Sequence, residues 1–438
     1  MDPQLALLPT TLLDRLLNPI IQDNIMRHLT LSALFRLVRT SRQYRDFVFN
    51  TPGVFKYTDL SRCKGAYTPL IAPIDAGGHS WRAERMDENL TEDEFYAGPL
   101  RYVLGRLHKL KVLSEVQVLV LDGLASVTHE LIHEIVTDER YKIRLLSIRR
   151  CPNINQARLQ QLLRHICRPS RPEGTPRLQG VYVFTNPASD ADQTGTVREA
   201  QASITAVDGA TLGLRPSSKS QIRPDNADQW YCASGRVLDL RRTPWEETLL
   251  ACKGIIVFDA VLCTAMHEEM KNVLHQASEE ELTKTKPGIA PLATIALGPD
   301  GCTSCGAGPS HVPVWGQSPV YDFPLLSPPP FSGKLVDATR PPVGRERLIV
   351  SCTWCITNRH CDSCHRWWCA RCYNPRRVTR ADSTAEVGSD RGSGSTVSSL
   401  DEVGAAATDS FKVFNGLCVE NCLVGEMMAG AGSNGMWA

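Results

Sequence analysis

The sequence has no surplus of either charge and no long apolar run, and both absences narrow the kinds of partner it can have. Its 48 lysines and arginines nearly balance its 47 aspartates and glutamates, so the basic surface of a typical nucleic-acid binder is missing. No window reaches the roughly 18 uninterrupted apolar residues that a membrane-spanning helix needs. We therefore expect the partners to be proteins, with no nucleic acid and no membrane among them.

Targeting and catalytic signals are also absent. The apolar N-terminus carries neither a basic segment nor a small-residue cleavage site, and Asp2, Asp14 and Arg15 interrupt it, which is not typical of a signal peptide. There is no Ser/His/Asp order, no pair of carboxylates in an apolar context, no nucleotide-binding fingerprint and no open zinc site of the His-Glu type. We predict a cytoplasmic and/or nuclear protein that is not an enzyme.

The 16 cysteines are not expected to form a disulfide framework in a reducing compartment. Six are scattered singly and are interpreted as small buried apolar residues: Cys63, Cys151, Cys167, Cys232, Cys252 and Cys263. The other ten form five closely spaced pairs: Cys302 and Cys305, Cys352 and Cys355, Cys361 and Cys364, Cys369 and Cys372, and Cys418 and Cys422. Two cysteines three residues apart can point both sulfurs at one tetrahedral Zn²⁺, so the pairs predict structural zinc.

The spacing leaves the grouping of these pairs open. The gaps between neighbouring pairs are short, which favours alternation in a cross-braced arrangement. One zinc would then be bound by Cys352, Cys355, Cys369 and Cys372, and a second by Cys361, Cys364, Cys418 and Cys422. Cys302 and Cys305 would need His311, His360 or His365, or would exchange places with Cys418 and Cys422. Two or three structural zinc ions fit, with His360 and His365 as further candidate ligands.

Residues 18–60 carry apolar side chains at helical spacing. Ile21, Ile25 and Leu29 step by four, and a second series follows Thr30. Asn18 before Pro19 predicts an N-cap followed by proline at the first helical position. We predict three short amphipathic helices. Because a stack of this size is too small for a stand-alone core, part of its apolar surface is expected to bind a partner.

The stretches "IMRHLTLSALFRLVRTSRQYRDFV" and "TPGVFKYTDLS" resemble the F-box, the helical module that recruits a Skp-type adaptor and through it a cullin ubiquitin ligase. The opening departs from the family pattern, because Pro9 and Pro19 both suit its first position and no Glu-Ile-Leu step follows. The resemblance implies adaptor contacts at Pro19, Ile21, Ile25, Leu29, Leu31, Leu34, Leu37, Val38, Tyr44 and Phe47. The alternative is an ordinary helical hairpin of a larger core.

Two stretches of the middle region, "VQVLVLDGLASVTHELIHEIV" and "IRLLSIRRCPNINQARLQQLL", align with an offset of 27 residues, so that Val118 matches Leu145 and Leu119 matches Leu146. This period is typical of leucine-rich repeats, whose strand-turn-helix units bury their apolar faces by stacking. Further strands are predicted in "KYTDLS", "LQGVYVF" and "KGIIVFDAVLC", and helices in "TPWEETLLA" and "MHEEMKNVLHQ". An unrelated α/β domain with the same alternation is the alternative.

Together these patterns predict an α+β multidomain protein with an N-terminal helical F-box, an irregular leucine-rich-repeat-like α/β solenoid and a C-terminal zinc-stabilised cysteine-rich module. The expected segments are the F-box (1–60), the repeat region (61–184), a disordered insert (185–228), a continuation of the repeats (229–298), the zinc-binding region (299–378), a low-complexity linker (379–410) and a closing segment (411–438) whose stretch 416–428 looks helical.

The combination resembles F-box proteins of filamentous fungi. It implies the substrate-receptor subunit of an SCF-type cullin ubiquitin ligase, which binds a Skp-type adaptor and the cullin core and presents an unidentified protein substrate by proximity. One alternative is a RING-like single-chain ligase, although the RING spacing of a histidine flanked by long loops is missing. Another is a zinc-stapled interaction scaffold unrelated to ubiquitin. If the zinc region binds a partner, Trp367 or Trp368 is the expected contact; the simpler expectation is that one ring forms the core of a small domain.

Overall fold

The computed structural model describes residues 11–66, 92–184, 245–263, 290–297, 300–309, 312–327, 329, 333–343, 346–373 and 411–425. The chain divides into two compact units. The first comprises Met1–Asp228, Leu238–Leu262 and Trp315–Pro342, and the second comprises Gln229–Val237, Cys263–Val314 and Val343–Ala438. Within the described ranges, no helix is long and apolar enough to cross a membrane. The predicted insert at 185–228, the linker at 379–410 and the helix in "MHEEMKNVLHQ" lie outside the described residues.

Four short helices open the first unit: α1 (Leu12–Leu16), α2 (Pro19–Met26), α3 (Leu31–Val38) and α4 (Arg42–Asn50). We call residues 12–50 the helical module. The side-chain oxygens of Asn18, Thr30 and Ser41 accept hydrogen bonds from backbone N–H groups in the first turns of α2, α3 and α4. The predicted N-cap at Asn18, followed by proline at the first helical position, is therefore confirmed.

A parallel sheet of five strands follows. Its strands are β1 (Tyr57–Asp59), β2 (Val118–Val120), β3 (Leu145–Ser147), β4 (Gly180–Tyr182) and β5 (Val257–Phe258). Between consecutive strands the chain forms α5 (Glu92–Lys109), α6 (His129–Thr137), α7 (Gln156–Ile166) and α8 (Glu246–Cys252). The strands lie in the sheet in their sequence order, and all neighbours are parallel. The predicted strands and the helix at α8 are thus present.

The pairing of β2 with β3 agrees with the offset between the two aligned stretches. Val118 is opposite Leu145 and Leu119 is opposite Leu146, which is the register given by the 27-residue offset. The helix starts follow the same period, because Thr128 caps α6 and Asn155 caps α7. The apolar residues matched by the alignment are buried in both copies. The two aligned stretches therefore have the same order of strand and helix, with the same apolar positions buried.

Buried and partly buried charged side chains lie at one edge of this sheet, just beyond the carboxyl ends of the strands. Asp122 accepts hydrogen bonds from Ser147 Oγ at 2.6 Å and from the backbone N–H of Arg149 at 2.9 Å. Asp259 accepts from Arg149 Nε at 3.1 Å and from the backbone N–H groups of residues 183 and 184. Burial raises the pKa of both carboxyl groups. These hydrogen bonds tie successive turns of the first unit to one another.

The segment Trp315–Pro342 belongs to the first unit and lies, in sequence, within the expected zinc-binding region at 299–378. It contains α9 (Leu335–Ala338). The backbone N–H of Leu325 donates to the carbonyl of Phe258 at 2.8 Å. Leu325 and Ala338 also pack into the core formed by Tyr57, Tyr182 and other buried side chains of the sheet. Leu325 and Ala338 therefore belong to the core of the first unit, although their segment lies between cysteine pairs in the sequence.

The second unit contains short strands and turns. Its elements are β6 (Ile295–Ala296), β7 (Val350–Ser351), α10 (Thr353–Ile356), β8 (Val413–Phe414), β9 (Leu417–Cys418) and a π-helical turn (Val419–Leu423). β6 pairs antiparallel with β7, and β8 pairs antiparallel with β9. The helix expected over 416–428 is thus wrong at its start. Asn415 and Gly416 both have positive φ and form the two-residue turn of a β-hairpin instead.

Candidate metal centre

Two groups of four cysteines lie in the second unit. Site A consists of Cys302, Cys305, Cys369 and Cys372, and site B consists of Cys361, Cys364, Cys418 and Cys422. Within each site all sulfur atoms lie within 4.8 Å of one another, a separation that one metal ion can bridge. These groups could hold metal ions, and four thiolate ligands are the donor set of structural zinc sites.

Site A is assembled by backbone contacts between two distant loops. Both the N–H and the hydroxyl of Thr303 donate to the carbonyl of Trp367, at 2.9 and 3.0 Å. The backbone N–H of Cys369 donates to the sulfur of Cys302 at 3.2 Å. Gly301, with φ +86°, has no room for a Cβ because the backbone of Gly306 closes the same turn. The loop around the first pair is thereby held against the loop that carries the second pair.

Site B is closed by the C-terminal hairpin. The backbone N–H of Asp362 donates to the carbonyl of Gly416 at 2.7 Å. The N–H of Cys418 donates to the sulfur of Cys361 at 3.2 Å, and that of Cys422 donates to the sulfur of Cys418 at 3.4 Å. The predicted grouping of Cys361 and Cys364 with Cys418 and Cys422 matches this arrangement.

The grouping predicted for the remaining pairs is wrong. Cys369 and Cys372 lie with Cys302 and Cys305, whereas Cys352 and Cys355 lie with Cys263. The physical reason is the β6–β7 pair, which places Cys352 directly after a strand and beside the segment that is hydrogen-bonded to Cys263. Along the chain, pairs of site A and site B alternate, so the two sites are interleaved in the predicted cross-braced manner, although with a different pair in site A.

Backbone donors favour the charged form of one sulfur in each site. Burial alone would raise the pKa of Cys302, but N–H groups of Cys369, Cys305 and Ser304 lower it to about 7. Burial alone would also raise the pKa of Cys361, but N–H groups including those of Cys364 and Cys418 lower it to about 7. Since the thiolate is the metal-binding form, both sulfurs are prepared for a cation.

Neither candidate histidine joins a cysteine group. His360 is buried, with Nδ1 3.3 Å from Asp362 Oδ1, and its ring centroid lies 5.9 Å from that of His365. Among the described residues, the groups with metal-ligand spacing contain cysteines alone. His311 lies outside the described residues. Two cysteine pairs supply four sulfur ligands in each of sites A and B, so neither site needs a histidine ligand.

The tryptophan pair forms core rather than surface. Trp367 and Trp368 are each 3% exposed and pack in one apolar cluster with Ile349, Tyr373 and Val413, among others. They are therefore not available as partner contacts, and the simpler expectation is the one that agrees with the structure. Trp354, inside the Cys352–Cys355 pair, is instead 72% exposed. The sequence gives no sign of this difference, because all three tryptophans are close to cysteines.

The residues expected to contact an adaptor have mixed positions in the helical module. Leu34 and Phe47 are 1% and 4% exposed and hold the helices together, so they present no surface. Pro19 is exposed, and the others are partly buried: Ile21, Ile25, Leu29, Leu31, Leu37, Val38 and Tyr44. The most exposed apolar side chains of the module lie on α1 and at the α1–α2 junction: Leu12, Leu17 and Ile20, which are 59%, 52% and 75% exposed.

Comparison of the chain with known proteins finds no matching family model, no matching curated protein and no matching solved structure. The arrangement of the residues themselves therefore carries the functional argument.

Proposed function

We propose that this chain is the substrate-receptor subunit of an SCF-type cullin ubiquitin ligase, acting in the cytoplasm or nucleus. The helical module would bind a Skp-type adaptor, and the rest of the chain would present a target protein to the ligase. The observation that carries this proposal is the exposure of Leu12, Leu17 and Ile20 on a small module with its own buried core. Large apolar side chains left exposed on a folded module are candidates for contact with a protein partner.

The position of the module fits the same role. α4 is followed within a few residues by β1, and Asp23 of α2 accepts hydrogen bonds from Lys56 Nζ at 3.0 Å and Tyr57 Oη at 3.3 Å. An adaptor bound to the module would therefore be held in a defined position relative to the sheet. A receptor that acts by proximity requires such a connection, because the effective concentration of the target depends on it.

Surface substitutions test the adaptor contact more cleanly than a deletion. Removing residues 1–60 would also remove β1 and the core residue Tyr57. We expect Leu17→Asp and Ile20→Asp each to reduce capture of purified Skp-type adaptor by at least about tenfold. The matched control is Leu250→Asp, because Leu250 is 49% exposed on α8 and Leu17 is 52% exposed. Unchanged capture by both module variants would reject the assignment.

In the same proposal, sites A and B bind structural zinc and hold the second unit together. The metal would be coordinated by Cys302, Cys305, Cys369 and Cys372 in one site and by Cys361, Cys364, Cys418 and Cys422 in the other. Zinc supplies a positive charge that neutralises clustered thiolates and fixes the loops that carry them.

A RING-like ligase is the second candidate, favoured by the interleaving of sites A and B. In that case the second unit would bind a conjugating enzyme directly, and Trp354 is the exposed aromatic side chain we would test as a contact. Autoubiquitination without adaptor, lost on chelation and weakened in Trp354→Ala, would support this function. A chain that neither captures the adaptor nor autoubiquitinates would be an interaction scaffold unrelated to ubiquitin.

A further inference from the structure

We propose a third metal site, formed by Cys263, Cys352 and Cys355. The three sulfurs lie within 4.8 Å of one another, and the residues are 0%, 2% and 2% exposed. The site extends the proposed zinc module and does not depend on any role in ubiquitination. It also gives a function to Cys263, which the sequence pattern classes with the single apolar cysteines.

The backbone around these cysteines is fixed on both sides. The N–H of Cys263 donates to the carbonyl of Pro291 at 2.7 Å. A few residues further on, the N–H of Thr294 donates to the carbonyl of Ser351 at 3.0 Å, alongside the β6–β7 pair. Cys352 then directly precedes α10, whose first turn carries Cys355. The strand pair thus brings Cys263 to a Cys-x-x-Cys turn that lies 89 residues away along the chain.

One hydrogen bond recurs in all three cysteine groups. The backbone N–H of Cys352 donates to the sulfur of Cys263 at 3.2 Å. Site A has the same bond between Cys369 and Cys302, and site B has it between Cys418 and Cys361, each also at 3.2 Å. In every case the N–H of a cysteine in one pair donates to a sulfur contributed by a distant segment. The third group therefore shares a backbone geometry with sites A and B.

The donor set defines the class of metal. Three soft thiolates favour a thiophilic ion, and in a four-coordinate site zinc is the metal that this set fits best. Tetrahedral coordination leaves one position for a further ligand, which X-ray absorption would identify as sulfur, nitrogen or oxygen. Three clustered thiolates without a cation would repel one another in a buried setting, so a bound dication stabilises the group.

Zinc content per chain, measured by mass spectrometry of purified full-length protein, tests the site. We expect three zinc ions in the wild type, two in Cys263→Ser, and three in the buried control Cys151→Ser. Cys263→His, which keeps a metal-binding side chain, should retain three. A wild-type content of two, or three zinc ions retained in Cys263→Ser, would overturn the proposal.

A second measurement covers the case in which Cys263→Ser does not fold. Stepwise release of zinc from the wild-type chain by a thiol-specific mercurial counts the ions without any substitution. Release of three equivalents supports the third site, and release of two rejects it. Adaptor capture is a separate assay, so failure of this inference and failure of the proposed function can be distinguished.

Discussion

The sulfur atoms of Cys364 and Cys418 lie 3.6 Å apart although 54 residues separate them along the chain. Their contact, like that of Cys305 Sγ with Cys369 Sγ at 3.8 Å, joins segments that share little regular secondary structure. With zinc bound in sites A and B as proposed, coordination of these sulfurs would contribute much of the stability of the second unit, and removal of the metal would unfold it.

Chelation should expose the tryptophan core of the second unit. Trp367 and Trp368 are buried against side chains that sites A and B hold in place, so zinc loss should shift tryptophan emission to longer wavelength. The measurement is fluorescence during titration with a strong zinc chelator, with released zinc measured in parallel. The control is Trp367→Phe combined with Trp368→Phe, in which most of the shift should be absent. Full zinc release with no change in wild-type emission would contradict the prediction.

Leu34 should stabilise the helical module far more than Ile20 does. Leu34→Ala removes a side chain that is 1% exposed, and we expect it to lower the free energy of unfolding by about 2–5 kcal/mol. Ile20→Ala alters a side chain that is 75% exposed and should change it by less than about 0.5 kcal/mol. Urea unfolding followed by far-UV circular dichroism compares the two variants. Equal effects would mean that Leu34 does not form the module's core.

Replacing only one partner of the Arg149–Asp259 ion pair should lower the free energy of unfolding markedly. The two side chains are 13% and 5% exposed, and Arg149 also lies over the ring of Tyr182 at 4.8 Å. Arg149→Met leaves a buried carboxylate without its cation and should cost about 3–5 kcal/mol. The double variant Arg149→Met, Asp259→Asn should recover part of that loss because the uncompensated charge is gone. Thermal unfolding of a double-mutant cycle measures the coupling, and strictly additive effects would show that the pair does not interact.

The contact of Asp23 with Lys56 should make stability depend on pH in the acid range. Burial alone would raise the pKa of Asp23, but Lys56, Arg27 and Tyr57 together lower it below its usual 3.8. Because the folded-state pKa is the lower one, the stabilisation is present above about pH 4 and is lost as the pH falls through the folded-state pKa. Both side chains are partly exposed, so the effect should be below about 1 kcal/mol.

The matched variant for this test is Asp23→Asn. Wild type should be more stable than the variant in urea at pH 6, and the difference should shrink as the pH falls below about 4 and through the folded-state pKa of Asp23. Zinc loss in acid affects both proteins equally and cancels in the comparison. A difference that stays constant across this range would show that the charge on Asp23 does not contribute.

The sequence predicts the first unit better than the second for a physical reason. Val118 and Leu145 lie in buried strands, where burial requires apolar side chains. The local pattern of apolar residues therefore predicts which residues pair across the sheet. Leu34 and Ile20 show the limit of such patterns, since both are apolar residues of short helices and one is core while the other is exposed. Helical spacing identifies an apolar face, but it does not predict whether that face is buried inside the module or exposed on its surface.

In the second unit, the spacing of the cysteines identifies each pair. Which two pairs form one site depends on strands of only two residues, which are hard to predict from sequence. Cys263 is separated from Cys352 by 89 residues and carries no neighbouring cysteine, so spacing gives no reason to select it. The hairpin that delivers Cys418 has a stronger signal, because Asn415-Gly416 between apolar residues is typical of a two-residue β-turn.

The alternation of sites A and B also fixes the order in which the protein can mature as it is synthesised. All four cysteines of site A have been made once residue 372 is in place, together with Cys263, Cys352 and Cys355. Cys361 and Cys364 must wait for Cys418 and Cys422, which are made last. A chain cut short between residues 379 and 410 would keep every ligand of site A and half of those of site B. The hairpin that carries Cys418 is thus the last part that site B needs.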